Sequence, residues 1–241
     1  MNKTRIIEIT AQDLYSVRTA IQGGANRVEL CTAVGVAGLT PSIGLIEGAV
    51  EVAAESGMKG FVDVLVRPRE GDFIYDKDEV KTAIRDIQRA VAAGVDGVVI
   101  GALRPDGSID RDAMERMMEA AGDTPVIFHR SFDVVSDQFA SLEELIEMGV
   151  VRVLTSGAAP VTGDGIKRIQ ELVQRADGRI EIMAGGGVRI DDIPKLFAVG
   201  VDAVHLSARR NVNGGPNRPG ERASYFQVDV DLVQAAVEAA R

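Results

Sequence analysis

The sequence holds one cysteine, Cys31, among its 241 residues, together with no tryptophan and only two histidines, His129 and His205. A single cysteine rules out an intramolecular disulfide and cannot by itself close a soft-metal site. Two histidines fall short of a three-histidine zinc site. Aromatics are only 4% of the chain, so Val, Ile, Leu and Ala must build the core. No apolar run is long enough to cross a bilayer, and the first strand-like run begins about five residues in, which leaves no room for an apolar leader. A cytoplasmic protein that meets no membrane is the expectation. A basic excess is missing too. The net charge is −9, which argues against nucleic acid as a partner.

The chain does contain eight short apolar runs, at roughly 5–10, 27–31, 60–67, 96–101, 125–129, 150–155, 179–184 and 202–207. Helical periodicity fills the gaps between them. Thr40-Pro41-Ser42 marks one helix start, and others fall near Asp78, Asp110, Ser141, Asp164 and Asp191. Gly94, Gly122, Gly149, Gly178 and Gly200 close five helices and lead into the next apolar run, as left-handed caps do. Eight β/α alternations in this length predict a single TIM-type (β/α)8 barrel with parallel strands over residues 1–241. A doubly wound open sheet is the alternative fold. The stretch 208–227 is poor in apolar residues and rich in Gly, Pro, Asn and Arg. It predicts a long loop after the last strand.

Seven of the runs carry an ionisable residue at one alternating parity. In RVELC, Val28 and Leu30 face one way and Arg27, Glu29 and Cys31 the other. In VDVLVR, Val62, Val64 and Val66 oppose Asp63, Leu65 and Arg67. Buried charge is costly unless it is paired or used, so the inward row marks where to look for chemistry. Barrel active sites gather at the C-terminal ends of strands. Glu8, Glu29, Arg67, His129 and His205 fall near those ends and are the candidates for proton transfer at the mouth. Arg27 and Asp63 read as floor, and Arg152 and Glu181 as a middle ion layer. A buried ion network that only fixes register would use the same residue types.

Arg67-Pro68-Arg69 after the third strand makes a stiff, doubly cationic corner suited to carboxylate or phosphate, with Arg69–Glu70 or Arg69–Asp72 pairing as the alternative. Gly185-Gly186-Gly187 after the seventh strand and Ser207 after the eighth occupy the loops that hold phosphate in many such barrels. Arg67, Arg69, Gly186, Gly187 and Ser207 are therefore the candidate anion contacts. Neither Ser131 nor Ser156 lies in a nucleophile elbow, which disfavours a serine hydrolase. Cys31, at inward parity, is the candidate ligand for Cu(I), with Met183 as a conceivable helper; Met114, Met117 and Met118 read as core. Glu8, Glu29 and a histidine form a second conceivable metal set.

The motifs RVELC, GLTPSIGL, VRPREGDFIY, GVVIGALRPDGSID, FHRSFD, RVLTSG, MAGGGV and VHLSA, in this order over roughly 5–210, resemble the CutC family. The resemblance implies a TIM-type barrel, a cytoplasmic oligomer and a role in copper homeostasis with copper binding. The chain carries Ile9 and Thr10 where many members have a cysteine after the first-strand glutamate. Three readings follow: a protein acting on a small anionic, phosphorylated metabolite, as enzyme or as binder; a Cu(I)-binding protein using Cys31; and an interaction scaffold.

Overall fold

The computed structural model describes residues 4–216 and 224–241. Eight parallel strands close into a barrel in sequence order. They are β1 (Ile6–Ala11), β2 (Arg27–Leu30), β3 (Val62–Leu65), β4 (Gly97–Ile100), β5 (Val126–Phe128), β6 (Arg152–Thr155), β7 (Glu181–Gly185) and β8 (Ala203–Leu206). The helices α1 (Leu14–Gly23), α2 (Ile43–Glu55), α3 (Lys77–Ala92), α4 (Arg111–Ala121), α5 (Gln138–Met148), α6 (Ile166–Ala176), α7 (Ile193–Ala198) and α8 (Val230–Ala239) complete the (β/α)8 barrel. Apart from β1, the strands are shorter than the apolar runs, whose ends pass into the loops. None of the helices is long and apolar enough to cross a membrane among the described residues.

Side-chain caps set the helix starts. Asp76 caps α3 in a reciprocal box with Glu79. Asp137 caps α5 through the N–H groups of Phe139 and Ala140, so α5 begins three residues before the expected Ser141. The segments expected to open helices at Asp164 and Asp191 are short 3-10 turns, 162–164 and 190–192, that precede α6 and α7.

The two strand faces build two separate cores. Ile7, Ile9, Val28, Leu30, Val62 and Val64 pack outward against the helices. Leu65, Val99, Ile127, Leu154, Met183 and Ala203 fill the barrel interior with Cys31. Below that interior layer lies a floor of charge. Arg27 pairs with Glu8, and Arg152 pairs with Asp63 at 2.8 Å and with Glu181 at 2.7 Å. Gly97 makes room for it, since a Cβ there would collide with the Asp63 carboxylate.

The depth assignments therefore need two corrections. Arg152 and Glu181 do not form a separate middle layer; they join Arg27 and Asp63. Glu8 sinks into the same network and does not line the mouth. The register explains why: Glu8 lies level with Arg27, and Thr10 lies level with Glu29.

The expected loop at 208–227 is part strand. Arg209–Val212 (β9) and Tyr225–Val228 (β10) pair antiparallel. The Arg209 guanidinium stacks 4.1 Å from the centroid of Phe226, and Gln12 donates to the Phe226 carbonyl. Residues 217–223 of that stretch lie outside the described residues.

Candidate functional site

A cavity of about 410 Å³ opens at the C-terminal ends of the strands. Glu29, Arg67, His129 and His205 of the inward row line it, as do Cys31, Gly186, Gly187 and Ser207. Glu8 and Arg69 do not reach it. Arg69 is held by Glu79 of α3 and by Asp72 in its own loop. Thr10, Arg130 and Asp133 also line the cavity; neither Thr10 nor Arg130 is among the site residues expected from the sequence.

One wall is a carboxylate–imidazole chain. His205 Nδ1 lies 2.7 Å from Glu8 Oε1, and its Nε2 lies 2.9 Å from Thr10 Oγ1 and 3.8 Å from Glu29 Oε2. Burial alone would lower the His205 pKa, but Glu29 and Glu8 outweigh burial and raise it. Glu8 shows the reverse balance: burial favours the acid, yet Arg27, His205 and Arg152 hold it well below the carboxylate range. Glu29 has no such support. Burial first, then Glu8 and Asp63, push it up to about 7 against the pull of His205. Glu8 thus anchors the imidazole, and Glu29 is left able to hold or release a proton near neutral pH.

The opposite wall carries His129 and Arg67. His129 Nδ1 accepts from the Ser131 N–H at 3.2 Å, which puts the ring proton on Nε2. Burial, then the adjacent Arg67, press the imidazole pKa down to about 3, so the ring is neutral. It is a hydrogen-bond donor and a poor general acid. The Arg67 fork does not clamp a ligand. Its Nη1 donates to the carbonyls of Val36 and Gly38, and its Nη2 to that of Gly71. Arg67 ties the β2–α2 loop to the β3–α3 loop and shapes the rim.

The third wall is a set of backbone donors. Gly186 and Gly187 adopt φ of 106° and 68°, which glycine tolerates and other residues resist. The Gly186 carbonyl is turned away to accept from Thr162 N and Oγ1. The N–H groups of Gly186, Gly187, Val188 and Ser207 donate to no acceptor among the described residues. Such a concavity suits an anion. Arg130 roofs it: a Cβ on Gly186 would stand 2.6 Å from Arg130 Cζ. Asp133 holds Arg130 in place by accepting from its Nε at 3.0 Å, and Asp133 is itself fixed by Thr155 and Ser156.

The CutC family model matches residues 5–210. The chain belongs to the CutC family. A CutC protein of Parabacteroides distasonis is 46% identical over 206 residues, 85% of this chain and 83% of the relative. One from Bacteroides fragilis is 40% identical over 223 residues, 92% of this chain and 87% of the relative. A solved CutC structure from Streptococcus agalactiae is 36% identical with a TM-score of 0.78, covering 83% of this chain and 97% of that one. That structure carries a provisional description as a copper homeostasis protein.

The donor set fits copper poorly. Cys31 is buried, and burial, then Glu29, drive its thiol pKa far up. The second soft atom inside the barrel, Met183 Sδ, accepts from Arg27 Nη2 at 3.5 Å on the floor. Among the described residues no three His, Cys, Asp or Glu side chains converge as a metal-holding group. The alternative set of Glu8, Glu29 and a histidine is already committed to the Glu8–His205 hydrogen bond.

Proposed function

We propose that the barrel mouth binds a small anionic metabolite, phosphorylated in the simplest case, and exchanges a proton with it through Glu29. The observation that carries this reading is one cavity lined both by the unpaired backbone donors of Gly186, Gly187, Val188 and Ser207 and by Glu29, a buried carboxyl raised to about 7. Arg130 supplies the cation over the glycine loop. His205, held by Glu8, sets the electrostatics around Glu29. Arg67 serves as scaffold, and Arg69 stays outside the site.

Inorganic phosphate is the first test. At a hundred times its dissociation constant, a ligand stabilises the native state by about 2.7 kcal/mol, or roughly 5–10 °C in a chain of this size. A rise of that order is expected, and Gly186→Ala should weaken phosphate at least tenfold by displacing Arg130. If neither phosphate nor a panel of phosphorylated sugars shifts the melting temperature, the reading fails.

Copper enters the family's description, and a direct role for this chain would run through Cys31. The buried, protonated thiol, and the absence of a second soft donor from the cavity lining among the described residues, support the opposite expectation. An anaerobic competition titration should give the same weak Cu(I) affinity for the wild type and for Cys31→Ser. A loss of tenfold or more in the variant would restore Cys31 as a copper ligand.

A further inference from the structure

Among the described residues, four buried side-chain polar atoms have no hydrogen-bond partner: Arg67 Nε, Tyr75 Oη, His129 Nε2 and Ser131 Oγ. All four belong to the segments that follow β3 and β5, so they gather on one wall of the barrel mouth. A buried donor left unpaired costs about 1–3 kcal/mol, and native proteins rarely leave several together without use. Of the four residues, Arg67 and His129 also line the cavity. Arg67 offers its Nε–H, with three of its other four N–H groups held by loop carbonyls, and His129 offers its Nε2–H, with Nδ1 held by Ser131. The Phe73 ring covers both, with its centroid 5.1 Å from Arg67 Cζ and 4.9 Å from the His129 ring centroid. That ring shuts both atoms off from solvent, so an acceptor reaches them when Phe73 swings aside, and the bond then made lies in apolar surroundings that strengthen it.

The geometry points to an enolisable carbonyl compound as the substrate class, with its carbonyl oxygen taken by the N–H groups of His129 Nε2 and Arg67 Nε. The inference rests on the anion-site reading above, because the glycine loop must hold the other end of the molecule. Glu29, on the strand next to the one that Arg67 follows and three strands from the one that His129 follows, is the proton acceptor. Its carboxylate takes a proton from the carbon beside the carbonyl. The C–H electron pair becomes the new carbon–carbon double bond, and the carbonyl π pair moves onto the oxygen between the two N–H groups. Return of the proton to carbon restores Glu29 and the carbonyl, so the cycle consumes no oxidant, reductant or co-reactant. A neutral imidazole suits this task, because it donates a hydrogen bond to the enolate without protonating it outright.

The test uses two probes, inorganic phosphate and 2-phosphoglycolate, whose carboxylate imitates the enolate oxygens. Calorimetric titration of the wild-type protein should show 2-phosphoglycolate binding at least tenfold more tightly than phosphate. In His129→Leu that ratio should collapse toward one while phosphate affinity is kept. Phosphate binding with a ratio near one in the wild type overturns the inference and leaves the anion site standing. Absence of any phosphate binding overturns the anion-site reading, and this inference with it. A ratio unchanged in a folded His129→Leu protein also overturns it. Should that variant not fold, the wild-type ratio decides: tenfold or more supports the donor pair, and a ratio near one removes it.

Discussion

Glu29→Gln should lower turnover by roughly a hundredfold to ten-thousandfold, the usual contribution of a positioned general base, while making the protein more stable at neutral and alkaline pH. Burial, followed by Glu8 and Asp63, raises this carboxyl from 4.5 in the unfolded chain to about 7 in the fold. Between those values the native state binds more protons than the unfolded state, so stability falls as pH rises from about 4.5 to about 7 and is level beyond. The loss is on the order of 3 kcal/mol at its fullest. A glutamine keeps the shape and removes the charge, so its advantage over the wild type should be absent at pH 4 and complete by pH 8. Thermal melts of both proteins across that range give the comparison directly. Asp63, raised to about 6 chiefly by its burial, titrates in both proteins and enters the difference through its repulsion of Glu29. His129 works the other way: its depressed pKa stabilises the fold above about 6.5 and loses that contribution as pH falls toward 3. A Glu29→Gln protein that keeps its turnover, or melts in parallel with the wild type at every pH, would remove Glu29 from the chemistry.

The sequence made the direction of each inward side chain legible, because strand parity alone decides which face a residue joins. Glu29, Arg67, His129 and His205 were found in that way, and the Gly186–Gly187 turn by its place after the seventh strand. Depth was not legible. Glu8 and Glu29 have the same parity and similar places in their runs, yet one lies in the floor and the other at the mouth. The stagger between neighbouring strands separates them, and no local pattern encodes that stagger. Arg69 misled for a related reason. Its nearest neighbours in the chain suggested a free cationic corner, but Glu79, ten residues on and a turn into α3, takes its charge. Arg130 and Thr10 were hidden differently. An arginine beside a histidine and a threonine at a strand end are ordinary until the barrel closes and sets one over Gly186 and the other against His205.

Removing one charge from the barrel floor should cost more stability than any surface change. In Arg152→Met the apolar side chain replaces much of the lost volume, but Asp63 loses its 2.8 Å partner and Glu181 its 2.7 Å partner. Asp63 keeps only Arg27, at 3.9 Å. Stranding the buried Asp63 carboxylate in this way costs about 3–5 kcal/mol, which lowers the melting temperature by roughly 6–20 °C at this chain length; Glu181 is half exposed and keeps Arg27 at 3.8 Å. The exposed pair Arg179–Glu143 offers the control, since breaking a surface pair costs at most about 1 kcal/mol. pH separates charge from packing in the floor variant. Asp63 already titrates near 6 with Arg152 present, and loss of the guanidinium raises it further. Protonation then relieves the stranded charge, so the deficit against the wild type should shrink between pH 8 and pH 5. A deficit equal at both pH values would assign the loss to packing. The same variant reaches the mouth through one chain of contacts: Arg152 helps hold Glu8 ionised, and Glu8 holds the His205 imidazole. With Glu8 less firmly charged, His205 should lose part of its raised pKa, and the proton equilibrium of Glu29 beside it should move with it.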